Sequence, residues 1–340
     1  MNINEYDFSL PKNLIAETPN SIRDNCRLLV LNKENGELEH KKFKDIIDYL
    51  ESGDVLVLNE TKVIPARLIG TKTETEAKME ILLLKNIENN IWECIAKPAK
   101  RLKVGTTIEF SNNLKARVIK IENEGIIQVE LVYEGNLYEI LDSIGEMPLP
   151  PYIHKKLKNN ADYQTVYAKT AGSAAAPTAG LHFTEDLLKK IEEKGIKICK
   201  ITLHIGLGTF RPVQTENIKD HKMHSEYYCI SEESAKILQD AKYNDNKIYA
   251  VGTTCVRTLE TVFKEHDKFK ASSGDTDIFI YPGFEFRAID GIITNFHLPK
   301  STLIMLVCAF AGKDHIMKAY KEAIENEYRF FSFGDAMFIK

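Results

Sequence analysis

The spacing of hydrophobic and polar positions changes three times along the chain. Residues 1 to 66 open on a polar lead-in, followed by a strand-like run from Arg27 to Leu31, a helical pattern from Phe43 to Leu50 and a strongly apolar run from Val55 to Leu58. Glu51-Ser52-Gly53-Asp54 supplies the helix stop and the turn between the last two. From about residue 68 to 149 the runs become short and β-rich: Met79 to Leu84, Ile91 to Ala96, Thr106 to Phe110, Leu114 to Ile121 and Ile126 to Tyr133. Turn residues such as Asn89-Asn90 and Asn112-Asn113 separate them, which predicts an antiparallel meander closed into a small barrel. A short helical pattern (Leu137, Ile140, Leu141, Ile144) and the stiff Pro148-Leu149-Pro150-Pro151 end this stretch.

Beyond residue 165 strand and helix patterns alternate. Strands are expected at Ile196 to Leu203, Lys247 to Val251, Asp277 to Tyr281 and Ile289 to Phe296, and helices at Ser231 to Lys242, Val256 to Lys264, Thr302 to Ala311 and Ile316 to Glu327. Thr184 followed by Glu185 and Asp186, Ser231 followed by Glu232 and Glu233, and Asp314 before the last helix read as helix starts, with Gly195 as a stop. The expected architecture is a mixed α/β core with a largely parallel sheet, open or barrel-like. That core is discontinuous, 1–67 and 150–340, and 68–149 is an inserted small antiparallel β-barrel domain.

Composition narrows the class. The 340 residues are enough for about two domains, and 44% hydrophobic with 28% charged residues is the balance of an ordinary globular chain. Lys and Arg (45) against Asp and Glu (49) give −4, which excludes a uniformly cationic surface but not a local one. Such a local excess lies between residues 97 and 120, where Lys97, Lys100, Arg101, Lys103, Lys115, Arg117 and Lys120 face only Glu109. It fits either an RNA-phosphate contact or a solvated strand face. Six cysteines without paired spacing, an acidic N-terminus and a longest apolar run of only Leu303 to Ala311 lead to the expectation of a reduced, cytoplasmic protein with no membrane segment.

In an α/β sheet, ligands sit in the loops that leave the carboxyl ends of the strands. Four expected strands run into glycine-containing or polar loops there: His204 to Arg211, Gly252 to Arg257, Tyr281 to Phe284 and Asn295 to Thr302. Gly252-Thr253-Thr254 opens a helix whose N–H groups and hydroxyls suit a carboxylate or phosphate, with Arg257 one turn in; simple capping accounts for the same residues. The loop from Gly172 to Gly180 reads either as a ligand cradle or as a tight crossing packed by alanines. It lacks the lysine of a P-loop, and Gly206-Leu207-Gly208 lacks the third glycine of a dinucleotide fingerprint. His221-Lys222-Met223-His224-Ser225-Glu226 reads better as a polar substrate-orienting loop than as a metal site. His182, His204 and His297 are each a candidate acid or base, or a buried hydrogen-bonded histidine.

Taken together, GSAAAPTAGLHFT (172–184), HIGLGTFRPV (204–213), HKMHSE (221–226), VGTTCVRTLE (251–260), TDIFIYPGF (276–284), ITNFHLPKSTLIMLVCAFAG (293–312) and YRFFSFGDAM (328–337) resemble the S-adenosylmethionine:tRNA ribosyltransferase-isomerase family of queuosine biosynthesis. RDNCRLLVL (23–31) and VLVLNETKVIPARL (55–68) extend the likeness over residues 6 to 337. The resemblance implies transfer and isomerisation of the ribosyl part of S-adenosylmethionine onto 7-aminomethyl-7-deazaguanine at the tRNA wobble position, giving epoxyqueuosine with release of adenine and methionine. S-adenosylmethionine is then a ribosyl-donating substrate, no metal is needed, and the protein acts as a monomer. The chemistry asks for a base beside the sulfonium-acidified ribose carbon, a proton donor to adenine and an anchor for the methionine carboxylate.

Thr253, Thr254 and Arg257 are the expected anchor; His182 and His297, with His204 and Glu226 behind them, are the expected bases and proton donors. Asn295, Tyr281 and Asp277 are expected to orient purine or ribose, Phe183 or Phe296 to stack on a base, and Lys97, Lys100, Arg101 and Lys103 to meet tRNA. Glu74-Thr75-Glu76-Ala77-Lys78 departs from the family pattern, which has a glycine-rich turn there. The readings that compete are a nucleosidase acting on a free nucleoside and a non-catalytic tRNA-binding protein.

Overall fold

The computed structural model describes residues 1–122, 125–155, 157, 159–206 and 215–340. In chain order the core begins with strands β1 (Arg27–Leu31), β2 (Leu38–Lys42), β3 (Val55–Asn59) and β4 (Thr61–Val63). The next six strands are β5 (Arg67–Lys72), β6 (Lys78–Glu88), β7 (Ile91–Lys97), β8 (Thr107–Ser111), β9 (Leu114–Ile121) and β10 (Ile126–Tyr133), followed by helix α1 (Leu137–Ile144). The core resumes with β11 (Thr170–Ser173), α2 (Glu185–Glu193), β12 (Lys197–Leu203), β13 (Glu226–Ile230), α3 (Glu232–Tyr243) and β14 (Ile248–Val251). It ends with α4 (Thr253–His266), β15 (Ser272–Thr276), β16 (Gly291–Asn295), α5 (Thr302–Ala311), α6 (Lys313–Glu325) and β17 (Ala336–Ile339).

Nine strands form one open sheet in the order β15-β13-β12-β3-β14-β16-β17-β1-β2. β3 lies in the middle with all five residues buried; its Val55 and Val57 pack into one layer while Leu56 and Leu58 pack into the other. A strand covered on both faces reads as a continuous apolar run, which is why VLVL stands out in the sequence. One layer holds buried residues of α3 to α6; the other holds those of α2 and of a 3-10 helix at Phe43–Tyr49.

Parallel pairing is interrupted rather than continuous across the sheet. β12, β3, β14 and β16 run parallel to their neighbours in that set, and β1 to β17, whereas β13, β15, β2 and the β16–β17 pair are antiparallel. The sheet is thus mixed rather than largely parallel. The expected strand at Asp277 to Tyr281 is irregular backbone, and the strand is the polar Ser272–Thr276 before it. The apolar side chains of Ile278, Phe279 and Tyr281 pack on the core without pairing, while the carbonyls of Thr276 and Ile278 receive the Arg257 guanidinium. The Phe43–Tyr49 helix is 3-10, with Phe43 and Ile46 buried. Thr184 and Ser231 cap their helices as expected, but α6 begins after Gly312, so Asp314 lies inside its first turn.

The second body is a closed barrel, β10-β7-β6-β5-β8-β9, around Leu68, Ile81, Cys94, Ile108, Val118 and Val129, with Leu141 of α1 in the same core. β5, whose alternation is too short to stand out in sequence, closes it. Gly70 lies where a Cβ would come within 2.5 Å of the Glu109 carbonyl oxygen, so the closing strands approach too closely for any side chain. In the hairpin between β5 and β6, Glu76 takes φ +55, the left-handed conformation that glycine would supply more cheaply.

Candidate active site at the carboxyl ends of the strands

β3, β12, β14 and β16 are parallel, so Asn59, Leu203, Val251 and Asn295 end at one edge of the sheet. Two clefts open there. In the first, the chain leaves β14 through Gly252 at φ +85 and enters α4, so that Gly252, Thr253 and Thr254 form one wall. Thr294 to Leu298 form the second wall and Ala176 to Ala179 the third. Among the described residues no side chain caps α4, and the Thr254 hydroxyl is buried without a hydrogen-bond partner. A helix start with free N–H groups and an unpartnered hydroxyl is a receptor for an anion. The cavity holds about 80 Å³, ample for a carboxylate.

Asn295 is held from two sides. The Thr178 hydroxyl donates to its Oδ1 at 2.9 Å, and with the amide so oriented its Nδ2 donates to His182 Nε2 at 3.0 Å. The His182 proton therefore sits on Nδ1, 3.2 Å from Cys26 Sγ. Both ring nitrogens are committed, the ring packs 5.0 Å from that of Phe43, and burial, reinforced by Arg23 and Arg329, pulls its pKa down to about 3. His182 reaches the cleft only through Asn295.

His297 is different: it lines the cleft, its Nε2 lies 2.9 Å from the Thr294 hydroxyl, and its Nδ1 makes no hydrogen bond to the described residues. Burial lowers its pKa to about 3, so at neutral pH it is a free base.

The second cleft lies between the barrel mouth and the edge of the sheet, bordered by Trp92 and Tyr138 on one side and Gly172, His204, Glu226 and Tyr227 on the other. Lys85 of β6 bridges it to Asp275 of β15 at 2.8 Å. His204 Nδ1 lies 2.8 Å from the Thr61 hydroxyl, its ring stacks on Tyr227, and burial lowers its pKa to about 4. Its Nε2 edge faces Gly172, where a Cβ would come within 2.8 Å.

Glu226 and Arg257 form a buried ion pair, 4% and 5% exposed. The carboxylate also accepts the Gly206 N–H at 2.9 Å, and the guanidinium gives its remaining contacts to the Thr276 and Ile278 carbonyls. The structure therefore does not bring Arg257 to Thr253 and Thr254, because one turn into α4 its side chain turns toward β13 and β15. Asp277 is exposed and Tyr281 packs against Phe279 with the rings tilted, neither lining either cleft. Phe183 is fully buried edge-on against Phe43 and offers no face to a base. Phe296 borders the first cleft, but Tyr320, Tyr328 and Phe330 occupy its ring surfaces.

Residues 207–213 of the HIGLGTFRPV segment lie outside the described residues. His224 borders the second cleft and His221 packs against Phe279; among the described residues no three metal-ligating side chains converge. Lys97, Lys100 and Lys103 are exposed around the 3-10 turn Ala99–Arg101 of the barrel, and the Arg101 side chain lies outside the described residues. Sequence reasoning missed Cys26, Thr178 and Trp92, whose parts depend on chain segments far apart. No helix of the described residues is long and apolar enough to cross a membrane.

Comparison with known proteins places this geometry in context. The profile of the family described as queuosine biosynthesis protein matches residues 3–339. A relative from Staphylococcus epidermidis (strain ATCC 12228 / FDA PCI 1200), an S-adenosylmethionine:tRNA ribosyltransferase-isomerase, is 59% identical over 340 residues, 100% of both chains. The crystal structure of S-adenosylmethionine tRNA ribosyltransferase from Thermotoga maritima at 2.00 Å resolution matches 99% of this chain and 100% of its own, with a TM-score of 0.58 at 38% identity.

Proposed function

The chain belongs to the queuosine biosynthesis protein family, and on that premise we propose how its residues divide the S-adenosylmethionine:tRNA ribosyltransferase-isomerase reaction. It is a transferase and isomerase acting on S-adenosylmethionine and tRNA. The acceptor is 7-aminomethyl-7-deazaguanine at the tRNA wobble position and the product epoxyqueuosine, with adenine and methionine released. The core, 1–67 with 150–340, holds the reacting groups, and the insert 68–149 meets the RNA through Lys97, Lys100, Arg101 and Lys103. The protein works as a cytoplasmic monomer and needs no metal.

The observation that carries the assignment is the unpartnered Thr254 hydroxyl at the uncapped start of α4. It and the first N–H groups of α4 hold the methionine carboxylate, and the rest of the substrate extends along the open rim between Ala176 to Ala179 and Thr294 to Leu298. The second N–H of the Asn295 amide, whose orientation His182 and Thr178 fix, is available to the ribose or purine. His297, neutral and with Nδ1 unengaged, takes the proton beside the sulfonium. His182 positions Asn295; Glu226 and Arg257 brace the start of the loop after His204.

The test is adenine release from S-adenosylmethionine in the presence of tRNA carrying the deazaguanine precursor. Release only with that tRNA supports the assignment; release without RNA marks a nucleosidase, and RNA binding without release marks a non-catalytic module. Thr254→Val, which keeps the shape and removes the hydroxyl, raises KM for S-adenosylmethionine about tenfold with kcat within about twofold. An unchanged KM removes Thr254 from the anchor.

A further inference from the structure

The second cleft contains a polar group that the fold leaves without use. Trp92, the only tryptophan of the chain, is 2% exposed at the barrel mouth, and its indole N–H has no hydrogen-bond partner among the described residues. An indole nitrogen can only donate, so its missing partner is an acceptor. The rim carries a second anomaly. Of the ten large hydrophobic side chains exposed among the described residues, three, Ile87, Tyr138 and Tyr227, border this one cleft. Its cavity of about 390 Å³ lies in the range of small-ligand sites.

Charge selects the part of a ligand that fits. Glu93, Glu226 and Asp275 border the cleft, and among the described residues the cations beside it are already engaged, Lys85 by Asp275 and Arg257 by Glu226. A phosphate finds no unengaged cation among them; a flat aromatic group with an acceptor for Trp92 needs none. Unstacked nucleobases have this description, and proteins hold them between aromatic side chains by their hydrogen-bonding edges.

We infer that this cleft is a nucleobase site for one unstacked nucleotide of the RNA substrate, in which the Trp92 N–H donates to an acceptor on the base and Tyr138 and Tyr227 flank its ring. The inference rests on the reading that the chain acts on tRNA and names where an unpaired base enters.

Trp92 is its own reporter, because excitation of the single tryptophan sees this cleft alone. An RNA stem-loop is titrated into the full-length protein while binding is followed independently by anisotropy of a labelled RNA. The loop RNA changes Trp92 fluorescence saturably at the concentration where anisotropy rises; a fully paired duplex of equal length and S-adenosylmethionine alone do not. Tyr138→Ala, at an exposed position of α1, weakens loop-RNA binding about tenfold and leaves duplex binding within about twofold. Trp92→Phe removes the donor while keeping an aromatic ring in the barrel core, and lowers loop affinity by a similar factor relative to duplex binding by the same variant.

RNA binding that leaves Trp92 silent, or an equal response to duplex, overturns the base site while leaving the tRNA reading intact. A saturable response to S-adenosylmethionine alone gives the cleft to the other substrate and also overturns it. Absence of any RNA binding overturns both readings.

Discussion

Arg257 and the three buried histidines show how far a residue's chemical type falls short of its role. From sequence, an arginine one turn inside a helix that starts Gly-Thr-Thr reads as a carboxylate clamp. In the structure its guanidinium is turned to Glu226 and two backbone carbonyls, and only the threonines face the cleft. Removing one partner of a buried pair strands the other charge, at a cost of about 3–5 kcal/mol. Arg257→Ala is therefore expected to destabilise the protein by that order, read as a lower urea midpoint. A stable variant with raised KM for S-adenosylmethionine contradicts this and returns Arg257 to the anchor.

The histidines carry a sign that can be measured. His182 and His297 are held near pKa 3 and His204 near 4 by burial, against 6.5 for an ordinary histidine. Below about pH 6.5 the unfolded chain binds protons that the folded chain refuses, so stability present above that pH is lost as the pH falls toward those depressed values. Each histidine contributes a slope of at most about 1.4 kcal/mol per pH unit. Urea midpoints are expected to drop between pH 6.5 and 5, above most carboxylate titrations, and His297→Gln to flatten the drop. A flat profile in the parent protein shows that these rings protonate in the folded state.

At the scale of elements, what could be read was what local physics decides. β1, β3, β12, β14, β16 and helices α3 to α6 follow from apolar runs and caps, since each buries a face regardless of its neighbours. β5 and β15 were not legible, one short and one almost wholly polar, because pairing partners rather than their own side chains make them strands. The apolar stretch after Thr276 failed in the opposite sense: Ile278 and Ile280 need burial, and packing supplies it without hydrogen-bonded pairing. The first cleft was legible because its walls are single loops following strands, the arrangement that α/β sheets impose on ligand sites. The chain from Thr178 through Asn295 and His182 to Cys26 was not, since it joins three segments whose contact only the fold establishes.

For the whole molecule, net charge is a poor guide to the partner. The total is −4, yet of the seven cations between residues 97 and 120, Lys115 and Lys120 are paired with Glu109 and Glu122, and Lys97, Lys100 and Lys103 are exposed with no ion pair among the described residues. Trp92 and Lys97 lie on the same strand, five residues and so about 17 Å apart. An RNA loop whose base enters the cleft would have its flanking stem carried along β7 to these lysines. Phosphate contacts of this kind release counterions, so log K falls with log salt by roughly 0.7 to 0.9 per contact. Replacing Lys97, Lys100 and Lys103 together by alanine is expected to reduce that slope by about 2 and to weaken binding most at low salt, while the Trp92 response at saturating RNA persists. An unchanged slope would place the phosphate contacts elsewhere on the molecule, and the loss of the Trp92 response at saturation would mean that these lysines set the position of the base as well as the affinity.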